Sequence, residues 1–139
     1  MFQNVVVGAD SSQTAAEAVA YATELAKLAG GTLHIVNAFK RGGGVTVDIP
    51  GEMRQSVGSV DLADSLMADL GSRARAAGVE VRTHAASGEP AERMCEVART
   101  VGADVIVVGN KGLQRRVLGS IPASVARHAP CAVLIVRTT

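Results

Sequence analysis

Val105-Ile106-Val107-Val108-Gly109-Asn110-Lys111-Gly112-Leu113-Gln114-Arg115-Arg116-Val117-Leu118-Gly119-Ser120-Ile121-Pro122 begins as a strand and ends as a helix. Its first four residues are β-branched and apolar, the pattern of a strand buried on both faces. A loop with glycines at 109, 112 and 119 is expected next. A helix restarts at Ser120, a favoured N-cap residue, with Pro122 in a first turn where a missing N–H costs little. Strand, glycine-rich loop and helix N-terminus together suit an anion. Glycine lets backbone approach a ligand closely. The unpaired N–H groups of the first helical turn face whatever sits there.

The charges agree. From Val105 to Thr139 there are five bases (Lys111, Arg115, Arg116, Arg127, Arg137) and no acid. The first 104 residues therefore carry −4 against this segment's +5, an asymmetry hidden by the net charge of +1. A positive field beside a glycine-rich turn favours phosphate. The plainer alternative is an ordinary strand-to-helix loop with a solvated basic face.

Outward from this stretch, strands and helices alternate. Asn4 to Ala9 reads as the first strand, and Asp10-Ser11-Ser12 as a turn. A helix follows with Ala15, Ala18, Val19, Ala22, Leu25, Ala26 and Ala29 at helical spacing. Thr14 with Glu17 fits a capping box, and Gly30-Gly31 ends the helix. Leu33 to Ala38 is the second strand. Phe39 to Gln55, with Gly42-Gly43-Gly44 and Pro50-Gly51, reads as an irregular flap. A second helix is expected from Val57 to Ala77, with Leu62, Leu66, Leu70, Ala74 and Ala77 inward and Gly78 as its cap. Val79 to Ala85 is the third strand, and Pro90 opens a third helix over Ala91 to Val101, closed by Gly102. Asp104 to Val108 is the fourth strand, Ser120 to His128 the fourth helix and Cys131 to Arg137 the fifth strand.

This alternation predicts an open parallel α/β sheet with right-handed crossovers and helices on both faces. The 139 residues suit one domain, residues 1–139. Hydrophobic residues make up 47% of the chain but only three are aromatic, so the core is aliphatic and alanine-rich. No run reaches the ~18 apolar residues of a membrane span. The first residues enter a strand directly and lack a signal-peptide pattern, so a cytoplasmic location is expected.

Most catalytic signatures are missing. There is no P-loop, no nucleophile elbow and no zinc-protease helix motif. Cys95 and Cys131 have neither disulfide-framework nor metal spacing and read as core thiols. His34, His84 and His128 are scattered; His34 reads as structural, His128 as favourable charge at a helix C-terminus, and His84 could lie near a site. No nucleophile is paired with a base, so no catalytic residue and no metal ligand is assigned.

The strand ending in Gly109, the pair Gly109 and Gly112, the later Gly119-Ser120 and the closing Pro130-Cys131-Ala132-Val133-Leu134-Ile135-Val136 resemble the universal stress protein family. The resemblance covers essentially the whole chain. It implies a Rossmann-like sheet of order 3-2-1-4-5, with the ligand crevice between the first and fourth strands. It also implies an adenine nucleotide (ATP, AMP or cyclic AMP, with Mg²⁺ accompanying ATP) as the ligand. Carried over residue by residue, Gly8, Ala9, Asp10 and Ile35 would hold the base. Gly109, Asn110, Gly112, Gly119, Ser120 and Ile121 would hold ribose and phosphates. Asp10 is a short acceptor suited to an adenine amino group, and it equally suits a helix cap.

One feature departs from the family. Its nucleotide-binding members place nine residues between the second glycine and the Gly-Ser pair, and here six, Leu113 to Leu118, do so. Six extended residues reach roughly 20 Å, so the loop can close. Fewer amides remain to wrap a triphosphate, and Arg115 and Arg116 are candidates to supplement them. The last strand, Ala132 to Val136, would be an apolar sheet edge, and the resemblance implies a homodimer across it. Nucleic acid and membrane are not expected as partners. The readings are thus a nucleotide-binding stress-response sensor, a same-fold protein acting by protein contacts without nucleotide, or a weak Mg²⁺-dependent ATPase.

Overall fold

The computed structural model describes residues 1–9, 13–39, 65, 67–111 and 118–138. The elements run β1 (Asn4–Gly8), α1 (Gln13–Ala29) and β2 (Thr32–Phe39), then a helix α2 whose described run is residues 67–76. β3 (Glu80–Ser87), α3 (Pro90–Val101), β4 (Val105–Lys111), α4 (Ser120–His128) and β5 (Ala132–Thr138) complete them. All five strands are parallel, in the order β3-β2-β1-β4-β5.

Each strand of the centre buries both faces, as its unbroken apolar run demands. Val5, Val7, Leu33, Ile35, Val105 and Val107 pack beneath Ala18, Ala22 and Ala26 of α1 and Met67, Leu70 and Ala74 of α2. The alternate residues Val6, Val36, Ile106 and Val108 pack against Ala91, Met94, Cys95 and Ala98 of α3 and Val125 of α4. Small residues on the helices let them lie close to the sheet. The start of β1 is fastened to the start of β4: Asp104 Oδ2 accepts from the N–H groups of Gln3 (2.7 Å) and Asn4 (3.1 Å).

Several boundaries move. Gly31 opens no strand of its own but passes so close to the Phe2 carbonyl oxygen that a Cβ there would collide. Thr14 lies inside α1 rather than at its cap, because the helix starts at Gln13. Of the described residues of α2, Met67, Leu70 and Ala74 face inward; Ala77 falls in the turn closed by Gly78 at φ +92°, and Leu62 and Leu66 lie outside the described residues. Phe39 is the last residue of β2, not the first of the flap; residues 40–64, including the triple glycine, lie outside the described residues. β4 continues through Gly109, Asn110 and Lys111, which the sequence assigns to a loop. There they pair with Val136, Arg137 and Thr138. Pairing with β5 holds a glycine in the strand that an isolated segment would lose to a turn.

The histidines are structural in two cases. His34 is 3% exposed. Its Nε2 lies 3.0 Å from Asn4 Oδ1, which makes Nε2–H the donor. Its Nδ1 therefore accepts from His84 Nε2–H, also at 3.0 Å. Both rings lie on the α3–α4 side of the sheet, with Val36. His128 Nδ1 reaches the Ser124 carbonyl within α4. Cys95 and Cys131 are free thiols, both pushed up in pKa by burial. Among the described residues no helix is long and apolar enough to cross a membrane.

Burial, then the neighbouring His84 and Arg82, pushes His34 down from 6.5 to about 4. The folded protein thus keeps His34 neutral where the unfolded chain protonates it. Stability from this pair is complete above pH 6.5 and declines as pH falls from there toward 4. Urea midpoints should drop between pH 6.5 and 5, where carboxylates titrate little. The slope is bounded by about 1.4 kcal/mol per pH unit for each proton taken up on unfolding. The double variant His34→Val/His84→Val should flatten that slope; an unchanged slope removes the histidine pair as its cause.

Candidate functional site

The crossovers from β1 and β4 leave toward opposite faces, α1 to one side and α4 to the other. The ends of these neighbouring strands therefore stand beside an open crevice, the position where parallel sheets of this kind bind ligands. Gly8 and Ala9 reach it from β1, and Gly109, Asn110 and Lys111 from β4. The structure thus brings together two ends of the sequence. Asp10, Gly112, Arg115 and Arg116 lie outside the described residues.

The N-terminus of α4 is built differently from the reading of Ser120 as its cap. Gly119 is the N-cap, at φ −64° and ψ 169°, and Ser120 is the first helical residue. Gly119 has no side chain to turn back on the helix, and no side-chain cap bond is made. The first intrahelical bond runs from Ala123 N–H to the Gly119 carbonyl at 3.0 Å. Pro122 has no N–H to offer. Among the described residues the amides of Ser120 and Ile121 have neither a cap nor an intrahelical acceptor, and both residues are exposed.

Gly119 is not needed for a positive φ, since its backbone is one any residue adopts. Its own N–H donates to Asn110 Oδ1 at 2.9 Å. A Cβ at 119 would stand 3.3 Å from that same oxygen. Asn110 is held in turn: Thr138 Oγ1, on a residue 2% exposed, donates to its carbonyl at 3.1 Å. The Asn110 side chain thus spans the loop, tying the end of β4 to the start of α4. Sequence reasoning placed Asn110 beside a ligand and missed this tie. Its signal was an asparagine nine residues before a glycine, too short a pattern to read without the fold.

Two further expectations change. Ile35 is 0% exposed, in mid-strand between Val7 and Thr83, and offers no surface to a base. The residues of β2 that reach the strand end are Asn37, Ala38 and Phe39. At Gly8 a Cβ would lie 2.5 Å from Met94 Sδ, so its missing side chain accommodates core packing on the α3 side. A groove of about 270 Å³ between α3 and α4 is a separate feature. Arg93, with Glu96 at 3.1 Å and Glu92 at 3.8 Å, neutralises much of its charge. Among the described residues no cluster of three metal-ligating side chains exists.

The sequence profile described as the universal stress protein family matches residues 1–137. The chain belongs to the universal stress protein family. A universal stress protein of Mycobacterium tuberculosis strain H37Rv is 34% identical over 99% of this chain and 98% of its own length. A universal stress protein solved in complex with cAMP is 32% identical, covers 99% of this chain and 98% of that one, and superposes with a TM-score of 0.76. One from Archaeoglobus fulgidus, in complex with dAMP, is 25% identical over 97% and 98% with a TM-score of 0.71. The five-stranded order and the flanking helices are those of this family's fold.

Removing the Asn110 tie should be felt in stability first. Asn110→Ala should cost about 1 kcal/mol in urea unfolding. Gly119→Ala needs a shift of only a few tenths of an ångström at Oδ1 and should cost less. Equal stability of Asn110→Ala and wild type would show that the tie carries no net energy.

Proposed function

We propose that this protein binds an adenine nucleotide at the crevice between β1 and β4 and acts as a nucleotide-responsive signalling module. The observation that carries the reading is the uncapped start of α4. Two free amides, at the positive end of a nine-residue helix, stand where a phosphate would complete them. The acid-free segment around them adds to that field. Relatives solved with cAMP and dAMP support the ligand class. In this reading Ser120 and Ile121 hold phosphate, Gly109 and Gly112 line its approach, and Arg115 or Arg116 adds a charge-assisted contact. Asp10 and the backbone at Gly8 and Ala9 border the base.

The six-residue spacing from Leu113 to Leu118 favours a small ligand. With fewer loop amides, ATP with Mg²⁺ gains little over AMP or cyclic AMP. The same spacing is the specific support for a second reading, a stress protein that binds no nucleotide and works through protein contacts. Mass spectrometry of the purified protein, followed by calorimetry with ATP, AMP and cyclic AMP, separates the two. Binding of AMP and ATP within about tenfold, roughly 1.4 kcal/mol, is the expected result. ATP tighter by a hundredfold would show that the short loop wraps a triphosphate; binding of none, in folded protein, favours the second reading.

The functional unit in this reading is a cytoplasmic homodimer. The two sheet edges differ: β3 exposes Glu80, Arg82, Thr83 and Ala85, whereas β5 exposes Ala132 and Leu134, the latter at 40%, with a charge only near its end at Arg137. Charged edges resist strand addition and apolar ones invite it. A second copy pairing along Ala132 to Val136 would cover the apolar edge. Sedimentation should give a dimer, and Leu134→Lys should give monomer or aggregate; a monomeric wild type at tens of micromolar (roughly a working concentration) would rule out this interface.

A further inference from the structure

Thr138 closes β5, an edge strand, yet it is 2% exposed. Burying a hydroxyl is unfavourable unless it finds a partner. Its partner is the Asn110 carbonyl, to which Thr138 Oγ1 donates at 3.1 Å. That contact lies where β4 has support on one side. The β1–β4 ladder ends at Val7 opposite Val107. From Val108 to Lys111 the ladder partners of β4 among the described residues belong to β5. The end of β4 that borders the crevice is thus held by an edge strand, and the Thr138 hydroxyl is fastened to it.

Asn110 passes that anchorage on. Its Oδ1 accepts from the Gly119 N–H at 2.9 Å, across nine positions of sequence. The Gly119 carbonyl in turn accepts from the Ala123 N–H at 3.0 Å, so both backbone groups of Gly119 are held. A trans peptide is planar, with its C=O and N–H pointing to opposite sides. The Gly119 carbonyl points along α4 toward Ala123, and the Ser120 N–H therefore points out of the helix end. The Ile121 amide follows in the same first turn. The direction of both donors depends on Gly119, that of Gly119 on Asn110, and the place of Asn110 on Thr138.

We propose that Thr138 and Asn110 act in series as positioning residues for the phosphate of the bound nucleotide. The inference rests on the nucleotide reading above. Asn110, which the resemblance sets beside the ligand, acts here through Gly119, and Thr138 acts through Asn110. A hydrogen bond weakens steeply as its angle closes. A tilt at Gly119 is therefore felt by a phosphate on the helix end and not by a base held from β1. Donors aimed beforehand also spare the ligand the ordering of two residues that the chain alone would leave apart.

The test is calorimetry with AMP and with adenosine, which lacks the phosphate. It compares wild type, Thr138→Val, Thr138→Ser, Asn110→Ala and the double variant Thr138→Val/Asn110→Ala, each first shown to be folded by circular dichroism. Thr138→Val keeps the shape and loses the donor. It should lower the advantage of AMP over adenosine about fivefold, as should Asn110→Ala, with adenosine unchanged. Either single variant reads that ratio by itself, should the other fail to fold. Thr138→Ser keeps the hydroxyl and should bind AMP as wild type does. In the double variant the loss should be no larger than in Asn110→Ala, because the two residues lie on one path. An unchanged ratio in both single variants would overturn the proposal alone. Equal losses for AMP and adenosine would also overturn it, since the two residues would then be shaping the whole crevice. Losses that multiply in the double variant would overturn the arrangement in series. A wild type that binds AMP no better than adenosine, or binds neither, overturns the reading of a phosphate at the start of α4, and this inference with it.

Discussion

The parallel pairing of Val5–Val7 with Val105–Val107 joins the two ends of the chain, and the rest of the molecule is arranged around it. These six residues are at most 3% exposed. Burying such side chains is the main favourable contribution a small α/β sheet has. Because the pair joins strands whose following helices leave to opposite faces, it also leaves a crevice between their ends. The core and the site are two consequences of one contact. The Asp104 carboxylate at the opposite end, accepting from the amides of Gln3 and Asn4, ties the start of β1 to β4.

Polar groups are distributed by the same economy. Inside the sheet they are paired: Asn4 with His34, His34 with His84, Thr138 with Asn110. At the crevice they are left available. Among the described residues Ser120 and Ile121 offer amides without a cap or an intrahelical acceptor. Donors fixed before a ligand arrives need little reordering when it binds. The Asn110 side chain contributes by spending its oxygen on Gly119, which sets the direction in which the next two amides point. A binding module needs this division between satisfied interior and unsatisfied rim. Within the described residues nothing resembles a nucleophile paired with a base.

The apolar run of β5 and the charged surface of β3 show why the two ends of one sheet behave differently. β5 follows the buried pattern of a central strand but has a neighbour on one side. β3 alternates buried Val81 with exposed Glu80 and Arg82, the pattern of a true edge. An apolar edge strand is the kind of surface to which another strand can add.

Sequence alone determined the element types, their order and the sites of the turns. Repeats of valine, isoleucine and leucine set the strands, alanine at helical spacing set the helices, and glycine set the stops at 30, 78 and 102. These are local effects, decided within a few residues. The strand order came from family resemblance, and the structure bears it out. Tertiary structure decided the rest. Gly109 and Asn110 became strand because Val136 and Arg137 of β5 pair with them, and no local propensity records a partner in another element. Ser120 lost the cap to Gly119 because the Asn110 oxygen reaches across the loop. Ile35 was buried because Val7 of β1 and Thr83 of β3 stand on either side of it, and which strands stand beside another is a property of the sheet, not of either sequence.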